Sequence, residues 1–371
     1  MKTILAKGIL EVNKRFFHID MLEALAIFFV VFYHNTTYKY NFLDMTNPFG
    51  ISYIYYIRYF VRTIISTCVP LFFFCNGYLL FSKTYSLSKH INRVIRLVLL
   101  TFTGLILCPI YMIISGVPLE TKVILLNWLN MDKEWSMNRY WFIGALVCIY
   151  IFFPALKSLY NHDENSFNIL TATMFLLTFG VRFINVSLAI ANTYIEVIPS
   201  NINYKMIDMF IPIRKYGFSF VYFCLGGITF KLESTILQIS KAKRNIGAII
   251  TTIAACIGLF IVGIYNSKNI THTPWDVVWE GYDTILTLLN VISLYILSLN
   301  VTSENKLITH ISSSTLWIYL FHGLIIRATQ PTFKHFPMYS TITFSAFYAA
   351  FVVIVCMMMR NLLRKIYLHC N

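Results

Sequence analysis

The sequence predicts an all-α, polytopic membrane protein with about ten transmembrane helices. Hydrophobic residues fill 57% of the 371 positions and charged residues only 12%, whereas a soluble domain carries about 25% charged residues. Apolar runs long enough to cross a bilayer, about 20 residues each, recur along the whole chain. The basic residues lie in short clusters between these runs, as topology signals do.

The charge and the cysteines exclude two other classes of protein. Although the net charge is +14, its clusters are better explained by anionic lipid than by nucleic acid. Most of the eight cysteines occur singly within apolar runs, and no CxxC pair is present. They are typical of small core residues and indicate neither a disulfide framework nor a metal site. We therefore expect the lipid bilayer as a partner, with no nucleic acid and no metal.

The predicted helices belong to a single transmembrane domain over 1–371, in which residues 1–18 form a cytoplasmic N-terminal segment. We place them at 19–38, 59–81, 93–115, 140–160, 167–190, 214–232, 245–266, 281–300, 312–328 and 340–363. If the N-terminus is inside, three clusters of four basic residues share the cytoplasmic side, so both termini are predicted to be cytoplasmic. The clusters are Lys2, Lys7, Lys14 and Arg15; Lys83, Lys89, Arg93 and Arg96; and Lys231, Lys241, Lys243 and Arg244.

The stretch FHIDMLEALAIFFVVFYHN at 17–35 contains most of the first span, 19–38, which carries its charged residues and His34 on one helical face. That face holds Asp20, Glu23 and His34, and we expect it to look into the bundle or a water-filled cavity. Helix rise separates Asp20 from His34 by about 21 Å, so the two cannot hydrogen-bond within this helix. Asp20 and Glu23 also resemble a capping box. His34, for its part, also fits an aromatic belt at the membrane interface.

The third span begins with a basic stretch, SKTYSLSKHINRVIRLVLL at 82–100. It contains Lys83, Lys89, Arg93 and Arg96, and the two arginines share one helix face because they are three residues apart. Guanidinium groups bind phosphate in bidentate fashion, so this stretch predicts a site for a phosphorylated cytoplasmic ligand. The alternative is a positive-inside anchor whose side chains reach the lipid headgroups.

Polar residues in two further spans have a functional and a structural interpretation. In VPLFFFCNGYLLF, Asn76 offers a donor and an acceptor and Gly77 allows close approach, either to a ligand or to another helix. Tyr140 and Trp141 mark the outer membrane interface and are also candidates for substrate contact.

Two more ionisable residues need partners that the sequence does not identify. His322, in SSSTLWIYLFHGLIIR, lies near mid-membrane and requires polar groups from another helix. Arg182, in TFGVRFIN, is a cation within a predicted span. Either residue lines a cavity or braces the bundle.

Taken in order, five segments resemble the acyltransferase-3 family of integral membrane acyltransferases, and especially its surface-polysaccharide O-acetyltransferases. They are IDMLEALAIFFVVFYH (19–34), CVPLFFFCNGYLLF (68–81), RVIRL (93–97), YWFIGALVCIYIFFPAL (140–156) and TLWIYLFHGLII (315–326). The resemblance implies ten transmembrane helices, a cytoplasmic acyl-CoA donor and an acceptor on the far side. It also implies that His34 is the family's essential first-helix histidine and that Arg93 and Arg96 are its RxxR pair.

One position departs from the family pattern. The family usually places Arg or Lys eleven residues before the essential histidine, where this chain has Glu23. Because a carboxylate cannot bind an anionic phosphate as arginine does, a nearby cation (Lys14, Arg15 or Lys83) substitutes or the branch uses a different network. An altered or lost activity is the third alternative.

The expected activity is transfer of an acyl group, acetyl in the first instance, from acetyl-CoA or another acyl-CoA. The acceptor is a hydroxyl of a cell-surface glycan or its lipid-linked precursor, at a bacterial plasma membrane. Arg93 and Arg96, with Lys83 or Lys89, hold the CoA phosphates in this scheme. His34 acts as general base or accepts the acyl group, oriented by a residue from another helix, for which Asn76 is the candidate.

The rival function is a transporter or flippase for a polysaccharide intermediate, since buried polar residues in many helices suit that activity too. Transporters often contain inverted repeats. The sequence shows no internal repeat, which favours the enzyme.

Overall fold

The described part of the chain is built from helices and contains no β-strand. A computed structural model describes residues 15–36, 53–114, 116, 120–122, 124, 141–195, 216–270, 275–336 and 341–370. The helices are α1 Phe17–Thr36, α2 Tyr53–Ile65, α3 Cys68–Phe81, α4 Leu87–Ile114, α5 Trp141–His162, α6 Glu164–Phe175, α7 Val181–Ile195, α8 Gly217–Gln238, α9 Lys241–Tyr265, α10 Ile285–Ser298, α11 Lys306–Phe333 and α12 Ile342–Cys370. A π-helical turn, Leu176–Gly180, joins α6 to α7, and another, Asn266–Ile270, follows α9.

Seven helical stretches in the described ranges are long and apolar enough to cross a membrane. They are Phe17–Asn35, Tyr56–Phe81, Trp141–His162, Glu164–Ile195, Gly217–Gln238, Lys241–Ile270 and Ile342–Lys365. The all-α membrane fold is therefore confirmed, whereas the count of ten is not. The predicted span 281–300 contains α10, which has only 14 residues. The predicted spans 93–115 and 312–328 lie in α4 and α11, and polar residues, among them Ser312, Ser313 and Ser314, interrupt the apolar sequence of α11.

The described residues group into two compact units. The first unit takes its members from 1–26, 41–85 and 157–312, and the second from 27–40, 86–156 and 313–371. Helices α1, α5 and α11 contribute residues to both. The prediction of a single domain over 1–371 stays a prediction.

In the first unit, glycine allows α3 and α8 to pack closely. A Cβ atom on Gly77 would lie 1.9 Å from the carbonyl oxygen of Phe223, and one on Gly226 would lie 2.2 Å from that of Phe74. No other residue fits at either position without moving the facing backbone. The packing alternative for the Asn76-Gly77 pair thus accounts for Gly77.

In the second unit, polar side chains join helices through backbone carbonyls. His90 of α4 is buried, and its Nε2 atom lies 2.8 Å from the carbonyl oxygen of Tyr150 in α5. Asn35 of α1 donates to the carbonyl oxygen of Ser345 in α12 at 3.0 Å. Because a buried polar group without a partner is costly in an apolar interior, these bonds fix how the helices pack.

Candidate active site

His34 and His322 come together in the second unit. Their ring centroids are 4.9 Å apart and the ring planes make an angle of 88°, an edge-to-face arrangement. His34 lies near the end of α1 and is exposed, whereas His322 lies within α11 and is buried. The structure thus places His322 of another helix against His34, whereas the sequence had offered Asn76 as the candidate.

The backbone of α11 fixes the tautomer of His322. The Nδ1 atom lies 3.1 Å from the carbonyl oxygen of Ile318 and 2.7 Å from that of Tyr319. Since a carbonyl oxygen only accepts, Nδ1 carries the hydrogen, and the lone pair of a neutral His322 is on Nε2. Nε2 is then the nitrogen of a neutral His322 that can accept a hydrogen.

Aromatic side chains surround this pair within the second unit. The ring of Tyr319 lies 6.1 Å from that of His322 and 5.3 Å from that of Phe142. Phe142 follows Trp141, the first residue of α5, and the ring centroids of these two residues are 6.5 Å apart. Trp141 is therefore next in the chain to a residue of this cluster. Tyr140, the other candidate from this segment, lies outside the described residues.

Basic residues collect on α4 and α12 of the second unit. Lys89 and Arg96 are exposed, and Arg93 is half-buried. Arg96 and Arg364 both interact electrostatically with Arg360, whose guanidinium also donates to Ser313 at 3.3 Å and to Ser314. Like charges held this close raise the local positive potential, which suits a phosphorylated ligand. Lys83, the remaining predicted phosphate contact, is exposed and belongs to the first unit.

The acidic pair of α1 forms a separate cluster in the first unit. Arg15 binds Asp20 through two nitrogens, and its Nη2 atom also donates to the carbonyl oxygen of Thr309 at 3.0 Å. The Oγ atom of Ser312 lies 2.8 Å from Oδ1 of Asp20 and 2.7 Å from Oε2 of Glu23. The hydrogen bonds that Arg15 donates to Asp20 raise the pKa of Arg15. Arg15, one of the three cations considered as a substitute at position 23, thus pairs with Asp20, and its binding of phosphate stays a prediction.

The capping-box interpretation of this segment was wrong. Helix α1 begins at Phe17, and the backbone N–H of Asp20 already bonds to the carbonyl oxygen of Phe16 at 3.1 Å. Asp20 therefore lies inside the first turn, where its carboxylate faces Arg15 and Ser312. The helix starts at Phe17, two residues before the predicted start at 19, so Asp20 lies too far inside it to act as the N-cap residue.

Asn76 and Arg182 have partners in the first unit. The amide nitrogen of Asn76 donates to the carbonyl oxygen of Phe72 in its own helix at 2.8 Å. Arg182 donates to the carbonyl oxygen of Glu280 at 2.8 Å, pairs with Asp283 at 3.5 Å and lies over the ring of Trp275. These contacts fit the alternative in which Arg182 braces the helix bundle.

A second polar cluster of the first unit was missed in the sequence. The carboxylate of Glu233 accepts from the hydroxyls of Tyr78 and Tyr295, and Nε2 of His18 lies 3.4 Å from it. Its only sequence signal is an acidic residue in the last part of α8, beyond the end of the predicted span 214–232. Ser312 and His90 gave no signal, since nothing in their sequence neighbourhoods indicates the distant groups that they contact.

The comparisons with known proteins fit the helical fold and the segments around both histidines. The family model described as an acyltransferase domain, acyltransferase-3, matches residues 16–360. No curated protein and no solved structure matches the chain. Because the family model covers nearly the whole sequence, including His34, Arg93, Arg96 and His322, the chain belongs to the acyltransferase-3 family and is a membrane acyltransferase.

Proposed function

We propose that the protein transfers an acetyl group from acetyl-CoA to a hydroxyl of a cell-surface glycan or of its lipid-linked precursor. The observation that carries this proposal is the contact between His34 and His322. It places an exposed imidazole against a second, backbone-anchored imidazole in a chain of an acyltransferase family. Such a pair is suited to moving the proton that an acceptor hydroxyl must lose.

In the proposed reaction His34 is the general base. It takes the proton of the acceptor hydroxyl while the hydroxyl oxygen attacks the thioester carbonyl carbon. The carbon–sulfur bond breaks, and the CoA thiolate receives a proton, so an ester and a thiol are formed. His322 positions His34 and stabilises the imidazolium, because its Nδ1–H is held by α11 carbonyl oxygens and only Nε2 remains to accept.

The proposed donor site uses the basic residues of α4. Arg93 and Arg96 share a helix face, and their guanidinium groups match the geometry of the CoA phosphates. Arg360 and Arg364 add positive charge beside Arg96. Lys89 lies one turn before Arg93 on the same helix, and Lys83 is proposed as a further phosphate contact. Both extend the positive region that an anionic donor would meet.

The proposed location is a bacterial plasma membrane, with both termini in the cytoplasm. Support comes from the clusters of basic residues, which fall on one side in this orientation. Acyl-CoA would then reach the protein from the cytoplasm, while the glycan acceptor would approach from the other side. Tyr140 and Trp141 fall on that side and are proposed to border the acceptor.

The test supplies the purified protein in proteoliposomes with radiolabelled acetyl-CoA and the glycan of the source cell. We expect the wild-type protein to label the glycan and His34→Ala to abolish labelling. His162→Ala is the matched control, because His162 is an exposed histidine at the end of α5. Normal labelling by His34→Ala would remove His34 from the chemistry. Movement of glycan across the membrane without any labelling would instead favour the transporter.

A further inference from the structure

We propose that Glu23 is protonated in the folded protein and donates a hydrogen bond to Ser312, so that it acts as a positioning residue between α1 and α11. The proposal rests on the cluster of Arg15, Asp20, Glu23 and Ser312 in the first unit. It assigns a role to the carboxyl group at the position where the family usually has a cation.

The number of available hydrogens supports this proposal. The hydroxyl of Ser312 lies within hydrogen-bond distance of both carboxyl groups, 2.8 Å from Asp20 and 2.7 Å from Glu23. A serine hydroxyl has one hydrogen, whereas an ionised carboxylate has none to offer. If both carboxyl groups were ionised, two anions would have to share that one hydrogen, or one contact would bring an oxygen lone pair against an anion. A hydrogen on one of the carboxyl groups removes this conflict.

The contacts of Arg15 show which carboxyl group is ionised. Arg15 donates from Nη2 to Oδ1 of Asp20 and from Nε to Oδ2, the bidentate geometry of an ion pair. Ser312 then donates its hydrogen to the Asp20 carboxylate. The hydrogen between Glu23 and Ser312 consequently belongs to Glu23, whose Oε2 atom donates to Oγ.

Other ionisable groups near Glu23 are compatible with a neutral carboxyl group. Asp20, Arg15 and Lys83 interact with it electrostatically, as does the thiol of Cys75 in α3. The negative charge of Asp20 opposes a second negative charge on Glu23, whereas the positive charges of Arg15 and Lys83 favour a negative charge on Glu23. Arg15, however, already gives hydrogens to Asp20 and Thr309, and Lys83 is exposed to solvent. Solvent screening weakens the effect of an exposed cation.

The cluster joins the two helices that carry the histidines. Arg15 and Asp20, at the start of α1, contact Thr309 and Ser312 of α11. Farther along the same helices lie His34 and His322. A proton on Glu23 adds a second bond to Ser312, and its loss leaves two anions around one hydroxyl. The effect on acyl transfer rests on the proposed function, whereas the protonation itself does not.

The test compares Glu23→Gln, Glu23→Ala and Asp20→Asn in the purified full-length protein. Infrared difference spectroscopy through a pH titration should show a protonated-carboxyl band in the wild type and in Asp20→Asn but not in Glu23→Gln.

Thermal stability of the wild type should fall as pH rises, because the folded state then holds a proton that unfolded glutamate, with a pKa of about 4.3, has lost. Glu23→Gln should lose this dependence, since its amide donates at every pH. With acetyl-CoA supplied, we expect Glu23→Gln to transfer the acetyl group about tenfold faster than Glu23→Ala.

Two results would overturn the proposal. One is a carboxyl band that persists in Glu23→Gln and disappears in Asp20→Asn, which would assign the proton to Asp20. The other is a pH dependence of stability that is the same in Glu23→Gln as in the wild type. Both readouts are independent of acyl transfer, so an inactive preparation would count against the proposed function alone.

Discussion

The ring of His322 meets the ring of His34 edge to face, with the centroids 4.9 Å apart. The two residues come from opposite ends of the sequence, on α1 and α11. Backbone carbonyls of α11 hold the Nδ1 hydrogen of His322, which leaves Nε2 as its acceptor. One imidazole is thus anchored while the other is exposed, an arrangement suited to positioning a base.

The first prediction concerns the coupling between the two histidines. His34→Ala should abolish acetyl transfer, and His322→Ala should lower it about tenfold to a hundredfold, because a general base loses much of its effect when it is poorly oriented. The double variant should be no worse than His34→Ala alone, as expected for residues that act as a unit. Transfer from labelled acetyl-CoA measures all three. A rate for His322→Ala equal to that of the wild type would contradict the pairing.

Helix packing provides the second prediction. Gly77→Ala should destabilise the protein by about 1–3 kcal/mol or more, because the new methyl group meets the backbone of Phe223. Gly247→Ala, in α9, is the matched control, since a Cβ there has nothing within 4 Å. Thermal unfolding in detergent should show a lower midpoint for Gly77→Ala only. Equal midpoints for the two variants would disprove the close approach of α3 and α8.

The basic residues of the second unit lead to the third prediction. Arg93→Gln and Arg96→Gln should each weaken CoA binding about tenfold and reduce its dependence on salt, because phosphate pairing depends on charge. Lys243→Gln removes the same charge from an exposed position on α9 and should leave affinity unchanged. Binding is measured by calorimetry at two salt concentrations. Equal losses in all three variants would indicate a general charge effect instead of a site.

Arg15 should be replaceable by a cation at position 23, which is the fourth prediction. Arg15→Gln leaves the buried Asp20 carboxylate without this partner and should lower stability by about 1–3 kcal/mol. Adding Glu23→Arg should restore stability, because an arginine three residues after Asp20 reaches it along the helix. Thermal unfolding of the single and double variants measures the rescue. A double variant less stable than Arg15→Gln would show that position 23 cannot supply the cation.

The fifth prediction concerns the start of α6, outside the membrane-spanning stretches. Hydrogen bonds from the Ser166 side chain and from the Ser166 backbone N–H, the latter at 3.0 Å, lower the pKa of Asp163. Its contribution to stability is therefore present above the pKa of an unfolded aspartate and is lost as pH falls through the lower, folded value. Asp163→Asn should show less acid sensitivity than the wild type in thermal unfolding. The same acid sensitivity in both would exclude Asp163 as the cause.

The sequence by itself determined the helical membrane class, because apolar length and low charge leave few other folds. Its segments around His34, Arg93, Arg96 and His322 also indicated the family that the match over 16–360 confirms. Helix rise alone was enough to exclude a bond between Asp20 and His34. These conclusions depend on local composition, spacing and order, which a sequence contains in full.

The tertiary structure decided which polar groups meet. Periodicity assigns a residue to a helix face but does not identify the helix opposite, so the partner of His34 and those of Arg182 were open until α11 and the segment before α10 were placed. The same holds for Glu23. Its sequence neighbours suggested a helix cap, whereas a serine almost three hundred residues away determines where its hydrogen bond goes. Contacts between distant segments depend on the packing of the whole chain, and that packing is not encoded in any one segment.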